Sequence, residues 1–207
     1  MQRLPYTGPK LAAIIIATMS RELTNALWNK VAEQVDLIDR LISLAPSSKL
    51  DWSPRPEESF DRHASAPEPG QQGEQENRAL LSLGHLLGHL LDCLAGFCAA
   101  IYKIDPVRFE EMIELRGLLV NFRAEPEEAR ARIKQYSTRL RKAFGKLDDD
   151  DLAQPLPTIF VPLGEPALTV LLGNLEHLIN HKFQLFMYLR LLGFEVSTRD
   201  LYRIRGE

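Results

Sequence analysis

Apolar residues recur every three or four positions in several stretches of the chain, which is the spacing of one face of a helix. The first stretch spans residues 20 to 45. Its apolar positions are Leu23, Leu27, Val31, Val35, Ile38 and Leu41 or Ile42. Charged residues stand between them, so the pattern predicts an amphipathic helix with Ser20 as its N-cap, stopped by Pro46.

The second stretch, residues 78 to 102, is apolar on nearly all sides. Between residues 79 and 102 the single formal charge is Asp92, and the segment is long enough to cross a bilayer. His85, His89 and Asp92 near its middle would be costly at membrane depth. We therefore predict the central helix of a soluble bundle and no membrane span.

Two more long helices are predicted in the second half of the chain. Residues 126 to 147 begin with proline and acidic residues and end with basic ones, as the helix dipole favours. Residues 166 to 192 are strongly helical up to Gly193. A shorter helix is predicted after Asp105 and Pro106. Its apolar residues are Phe109, Met112, Ile113 and Leu115.

The connections between these helices are polar or rich in proline. Residues 53 to 77 form a long loop that contains His63, and the acidic run at residues 148 to 151 is interpreted as a solvated connection without a binding partner. Three prolines in residues 152 to 165 exclude a helix, and residues 158 to 161 are an unconvincing candidate for a strand. Together the elements predict an all-α fold: a four-helix bundle with a crossover connection, plus short additional helices.

The composition is that of a globular domain without a strong charge. The chain has 207 residues, 45% of them hydrophobic, and a formal net charge of −3, which argues against a nucleic-acid partner. The apolar run within residues 1 to 18 is too short for a secretory leader, so we expect a loose extension before a helical domain at residues 19 to 207. Met1 and Met19 both remain candidate starts. Two cysteines make no disulfide framework, and we expect a cytoplasmic protein.

Four of the five histidines form two pairs with a spacing of four residues. His85 and His89 lie in the second helix and His177 and His181 in the last, so each pair shares one helical face, its members about 6 Å apart along the axis. Each pair alone is more typical of core or boundary histidines that are hydrogen-bonded to a neighbour. The same faces also carry Ser82, Cys93 and Gly96 on the second helix and Asn174, Gln184 and Tyr188 on the last. Two such polar stripes that met inside a bundle could hold zinc, nickel, copper or iron.

No other catalytic motif is present in the sequence. It lacks the H-E-x-x-H of zinc proteases, the E-x-x-H of di-iron bundles, a glycine-rich phosphate loop and a G-x-S-x-G elbow. Any catalysis by this chain would therefore be centred on a metal.

Three short segments occur in a characteristic order. They are Trp52-Ser53-Pro54 after the first helix, the segment SLGHLLGHL from Ser82 to Leu90, and His177-x-x-x-His181-Lys182-Phe183-Gln184 followed by Tyr188-Leu189-Arg190 and Gly193. In these segments the sequence resembles the DinB-like family of metal-dependent four-helix bundles, which includes thiol-dependent transferases and isomerases. The resemblance extends from about residue 20 to the end of the chain.

The resemblance implies a metal triad of His89, His177 and His181. His85 is an additional histidine with three open roles: a partner behind the ligands, a fourth ligand that closes the site, or the ligand in place of His89. The family's His-Arg-Gly-Gln is replaced here by His-Lys-Phe-Gln, so we expect Phe183 to narrow the pocket.

The resemblance also implies an activity. A divalent metal, preferably zinc or nickel, would activate water or a low-molecular-weight thiol for hydrolysis or for thiol transfer to a small molecule. No catalytic acid or base is identifiable, and Asn174, Gln184 and Arg190 are loose candidates for holding a substrate. Cys93 is interpreted as a small buried apolar residue rather than a metal ligand.

The alternative is a non-catalytic bundle that binds a partner or forms a homodimer. Gly84, Gly88, Ala95 and Ala99 give the second helix a face of small residues, on which another helix can approach closely. We expect this face to serve packing within the bundle.

Overall fold

The computed structural model describes residues 21 to 54, 80 to 115, 122 to 159 and 161 to 203. The predictions for residues 1 to 18, for Ser20, for His63 and for nearly all of the loop at residues 53 to 77 lie outside the described residues. In the part that is described, helices dominate and the predicted all-α fold is confirmed.

Four long helices form the bundle: α1 (Glu22–Ile42), α2 (Leu83–Ile104), α3 (Pro126–Lys146) and α5 (Ala167–Leu191). Two short helices, α4 (Asp149–Ala153) and α6 (Thr198–Leu201), precede and follow α5. Helix α1 packs mainly against α3 and α5, and α2 packs against the same two helices. The consecutive helices α1 and α2 therefore lie diagonally opposite each other. A diagonal step needs a long connection, which agrees with the predicted crossover.

The apolar residues of α2 face the other helices of the bundle. Leu86, Leu87, Leu90, Phe97 and Ile101 are fully buried. Among the described residues, α2 is the one helix long and apolar enough to cross a membrane, and most of it is buried inside the protein. Packing in the core accounts for its apolar composition, since core helices and membrane helices share it.

The small residues at the start of α2 are covered by the chain itself. A Cβ atom at Gly88 would lie 1.8 Å from the carbonyl oxygen of Phe122, and one at Gly84 would lie 3.2 Å from the carbonyl oxygen of Leu50. The amide of Ala124 also donates to the carbonyl of Gly84 at 3.0 Å. This part of the small-residue face therefore serves packing within the chain, as expected.

The acidic run at residues 148 to 151 has specific partners, so its interpretation as a solvated connection is wrong. The Asp149 carboxylate caps α1, because it accepts hydrogen bonds from the Thr24 amide at 2.9 Å and the Thr24 hydroxyl at 2.7 Å. Burial alone would raise the pKa of Asp149, but the hydrogen bonds from Thr24 and Leu23 outweigh it and lower the pKa. Asp151 is buried and pairs with Arg108 at 2.6 Å.

Two predicted elements differ in detail from the structure. Helix α1 begins at Glu22 rather than directly after Ser20, and Leu23 is exposed while Thr24 is buried against Asp149. The helix predicted after Asp105 is a turn followed by a 3-10 helix, Glu110–Leu115. Its Phe109 and Met112 are buried as an apolar face requires, but Ile113 is exposed.

A small antiparallel ribbon, β1 (Pro155–Leu156) with β2 (Glu165–Pro166), lies in the proline-rich connection before α5. Residues 158 to 161 are the weak strand candidate, and its two ends are joined by a hydrogen bond in which the Thr158 hydroxyl accepts from the Val161 amide at 2.9 Å. Helix α5 ends as predicted before Gly193, whose φ of +87° suits a residue without a Cβ atom.

Candidate metal centre

Helices α2 and α5 run antiparallel in a register that brings their polar stripes face to face. The Tyr188 hydroxyl of α5 donates to the Leu81 carbonyl just before α2 begins. About two turns further along α2, His89 meets His177 and His181 of α5. The register between the two helices therefore selects which histidine of the first pair takes part.

The three imidazoles converge through their Nε2 atoms. The Nε2 atom of His89 lies 3.0 Å from that of His177 and 3.0 Å from that of His181. Among the described residues, these three and Cys93 form a group that could hold a metal ion, with all four donor atoms within 4.8 Å of one another. We call His89, His177 and His181 the histidine cluster.

The donor set of the histidine cluster fits a divalent cation. Two imidazole nitrogens bound at about 2.0–2.1 Å in a tetrahedral site lie about 3.3 Å apart, close to the spacing of the cluster. A neutral imidazole carries a single N–H group, so one hydrogen at the His89 Nε2 atom cannot satisfy both nitrogens that face it. A cation at the centre would use the lone pairs of all three nitrogens.

A chain of hydrogen bonds behind His181 fixes which ring nitrogen carries its proton. The Leu81 carbonyl can only accept, so the Tyr188 hydroxyl donates to it at 2.8 Å. That hydroxyl therefore accepts from Gln184 Nε2 at 3.1 Å, which turns Gln184 Oε1 towards His181 Nδ1 at 2.9 Å. The His181 Nδ1 atom must donate to this oxygen, so the lone pair of the neutral ring is on Nε2 and points into the cluster. The Trp52 ring packs edge-on against Tyr188, with centroids 5.4 Å apart.

We expect Tyr188→Phe to weaken zinc binding about tenfold, because Gln184 would lose the acceptor that orients its amide. The direct readout is nitrogen NMR of the His181 ring in metal-free protein, at a pH above its titration. The population of the Nδ1–H tautomer should fall in Tyr188→Phe and stay unchanged in Tyr202→Phe, a matched change at an exposed tyrosine. An equal tautomer population in both variants would mean that these hydrogen bonds do not orient the ring.

Desolvation favours the neutral forms of His177 and His181. It lowers the pKa of His177, and the nearby charge of protonated His89 lowers it further. Burial also lowers the pKa of His181; its hydrogen bond to Gln184 opposes the shift without cancelling it. The Asp92 carboxylate lies 3.9 Å from the Nδ1 atom of His89. Neutral imidazoles with polar partners behind them are the form in which histidine binds metals.

Cys93, interpreted from the sequence as a small buried apolar residue, has its sulfur in the same group of donor atoms as the histidine cluster. It is buried, and this burial, together with the negative charge of Asp92, raises the pKa of its thiol to about 12. The thiol is therefore protonated at neutral pH when no metal is bound. The neutral His181 ring needs to lose no proton to bind a metal, because its Nε2 atom already carries the lone pair.

His85 lies one turn before His89 but outside the group of converging donor atoms. Its Nδ1 atom is 2.8 Å from Ser82 Oγ, and the same oxygen accepts from the His85 amide at 3.4 Å. The imidazole is thus tied to the N-terminal cap of α2. This geometry does not favour His85 as a fourth ligand or as the ligand in place of His89.

Of the three residues suggested for holding a substrate, Gln184 contacts the cluster directly, through His181. Asn174 is half-buried and lies against Gly96, where it fills the gap between α2 and α5. Arg190 is exposed, with its guanidinium 5.9 Å from the centroid of the Phe186 ring. Gln184 therefore orients His181, and Asn174 and Arg190 make no contact with the cluster that assigns them a role.

The pocket beside the cluster is open, contrary to the expectation that Phe183 narrows it. Phe183 is 50% exposed and stacks on Phe186 on a different face of α5 from His181, with ring centroids 6.1 Å apart. A cavity of about 240 Å³ lies beside the histidines. Its lining residues are Gly173, Glu176, His177, Asn180 and His181.

The role of Lys182, which follows His181 of the cluster, was not predicted from the sequence. Lys182 is 2% exposed, and its ammonium donates to Gln34 Oε1 of α1 and to the Leu201 carbonyl of α6, both at 2.6 Å. Burial lowers the pKa of Lys182, and the positive charge of Lys30 adds to the effect. The helix that carries two cluster histidines is therefore fixed on its opposite side. The sequence distinguished this residue in one way: lysine stands where the family that the chain resembles has arginine.

Comparisons with known proteins agree with this architecture. No protein-family model matches the chain, and no curated protein is significantly similar to it in sequence. A solved DinB-like protein from Bacillus subtilis is 14% identical, with 83% of this chain and 94% of that chain covered and a TM-score of 0.57. A mycothiol-dependent maleylpyruvate isomerase is also 14% identical, with 86% of this chain and 64% of that chain covered and a TM-score of 0.45. The likeness to the first of these shows that the chain has the DinB-like four-helix fold.

Proposed function

We propose that this protein is a metal-dependent enzyme whose metal ligands are His89, His177 and His181. The convergence of their Nε2 atoms, 3.0 Å apart around His89, is the observation that carries the proposal. Imidazole ligands suit zinc and nickel, which are the preferred metals. Three protein ligands are also the number found in catalytic zinc sites, whereas structural zinc sites are closed by four.

The residues around the cluster hold its imidazoles in place and favour the neutral forms of His177 and His181. Gln184 directs the lone pair of His181 inwards, and burial keeps the pKa of His177 low. Asp92 faces the outer nitrogen of His89. When bound, a divalent metal lowers the pKa of water or of a thiol beside it and so supplies a nucleophile near neutral pH.

The open cavity beside the cluster suits a small polar substrate. Its volume of about 240 Å³ is below that of most drug-sized pockets. Glu176 and Asn180 at its wall offer a carboxylate and an amide for polar recognition. We propose that the reaction transfers a low-molecular-weight thiol to an electrophile, with hydrolysis as the second candidate. The free cysteines Cys93 and Cys98 agree with a reducing cytoplasm, where such thiols accumulate.

Metal analysis of protein purified without a histidine tag tests the proposal. We expect about one equivalent of zinc or nickel per chain, removable by a chelator and restored by adding the ion. Metal-loaded protein is then assayed with a small electrophile, with and without added glutathione or another small thiol. Product that forms only with the thiol identifies transfer, and product that forms without it identifies hydrolysis. A chain that stays metal-free after incubation with both ions contradicts the proposal.

A further inference from the structure

Helix α5 is apolar on part of its outer side as well as on its inner side. Leu172, Phe183, Met187 and Leu191 are between 39% and 54% exposed. Phe183 rests on the buried ring of Phe186, so its own ring is held at the surface. Phe183, Met187 and Leu191 follow one another at steps of four residues, so they are neighbours along the helix, and exposed apolar residues that cluster are typical of an interaction surface. We call the side of α5 that carries Ile179, Phe183 and Met187 the outer face.

The outer face is symmetric in sequence about Phe183. Ile179 and Met187 stand four residues before and after it, and Glu176 and Arg190 stand seven residues before and after it. Steps of four and seven residues keep all five positions on one side of a helix. Glu176 and Arg190 therefore lie about 10 Å from Phe183 in opposite directions along the axis.

We propose that a second copy of this chain docks on the outer face, with the two α5 helices antiparallel across a twofold axis at Phe183. Each Phe183 then meets its counterpart, and each Ile179 meets the partner's Met187. Each Glu176 faces the partner's Arg190, so the arrangement forms two pairs of opposite charge. A parallel arrangement would set like charges against each other, which selects the antiparallel one.

The charges identify the occupant as a second copy. Glu176 and Arg190 are both exposed, and they lie at equal distances on either side of the apolar centre. In an antiparallel pair of identical chains, each negative side chain of one copy faces a positive side chain of the other. The outer face is therefore complementary to a second copy of itself. Glu176 also lines the cavity beside His177, so the contact would lie at the rim of the candidate site. The pairing needs no metal, and metal-free protein can be used to test it.

Sedimentation velocity of metal-free protein should show a monomer–dimer equilibrium at micromolar concentrations. Phe183→Lys places two ammonium groups at the twofold axis and should weaken the dimer at least about tenfold. Val107→Lys makes the same kind of change at a residue that is 86% exposed and lies outside α5, and it should have no effect. Circular dichroism confirms that each variant keeps its helix content. A monomer at every concentration, or a dimer that Phe183→Lys leaves intact, overturns the proposal.

Charge reversal tests the register independently of Phe183. Glu176→Arg and Arg190→Glu should each weaken the dimer about tenfold, because each creates two pairs of like charge. The double variant restores both pairs and should recover most of the affinity. A double variant as weak as either single variant overturns the antiparallel pairing at Phe183.

Discussion

His89→Ala should lower the affinity for zinc more than about 100-fold, whereas His85→Ala should leave it unchanged. The Nε2 atom of His89 lies 3.0 Å from those of both His177 and His181, so its loss removes one of three converging donors. The His85 ring is instead bound to Ser82. Changes to residues behind a ligand already cost about 10- to 100-fold in metal affinity, and the loss of a ligand costs more.

The two variants control for each other. Each removes one imidazole from the same face of α2, one turn apart, and leaves the other imidazole in place. Metal content after dialysis and competition with a chromogenic chelator give the two affinities. The reverse result, with metal lost only in His85→Ala, would move the ligand role to His85. Equal retention in both would show that the metal binds elsewhere.

Gly88→Ala should lower the free energy of unfolding by about 2–3 kcal/mol. The added Cβ atom would lie 1.8 Å from the Phe122 carbonyl oxygen and 2.9 Å from its carbonyl carbon. Backbone atoms cannot rotate away as a flexible side chain can, so α2 and the segment before α3 must move apart. The gain in helix propensity, up to about 1 kcal/mol, offsets only part of this cost.

Gly173→Ala is the matched control for Gly88→Ala. Gly173 also lies within a long helix, but a Cβ atom there would have no neighbour within 4 Å. We expect the free energy of unfolding to rise by about 0.5–1 kcal/mol, because alanine replaces glycine without a clash. Urea unfolding followed by circular dichroism measures both variants. If Gly88→Ala proved as stable as Gly173→Ala, the close approach of Phe122 to α2 would be contradicted.

The helices could be predicted from the sequence because each buries an apolar face of regular spacing. Leu27, Val31 and Ile38 are buried as their period requires. The start of α1 could not be predicted, because its cap comes from Asp149, more than a hundred residues away in the chain. A run of carboxylates in a sequence indicates a solvent-exposed segment. Asp151 is instead paired with Arg108, which is distant in the sequence and comes close only in the folded chain.

The candidate site was predictable in its residue types but not in its register. A spacing of four puts His85 and His89 on one face and gives no reason to choose between them. The choice depends on the axial register of α2 relative to α5. The hydrogen bond from the Tyr188 hydroxyl to the Leu81 carbonyl helps to set this register. The prediction that Phe183 narrows the pocket was wrong. Phe183 is two residues from His181, and a step of two residues places its side chain on another side of the helix.

The topology of the histidine cluster also has a consequence for how the protein matures. His89 is separated by 88 and 92 residues from the two histidines that it meets. During synthesis, α1, α2 and α3 leave the ribosome before α5, so no nascent chain that ends before α5 carries the complete ligand set. The metal site that we propose can therefore be complete only after α5 has been synthesised and has packed against α2.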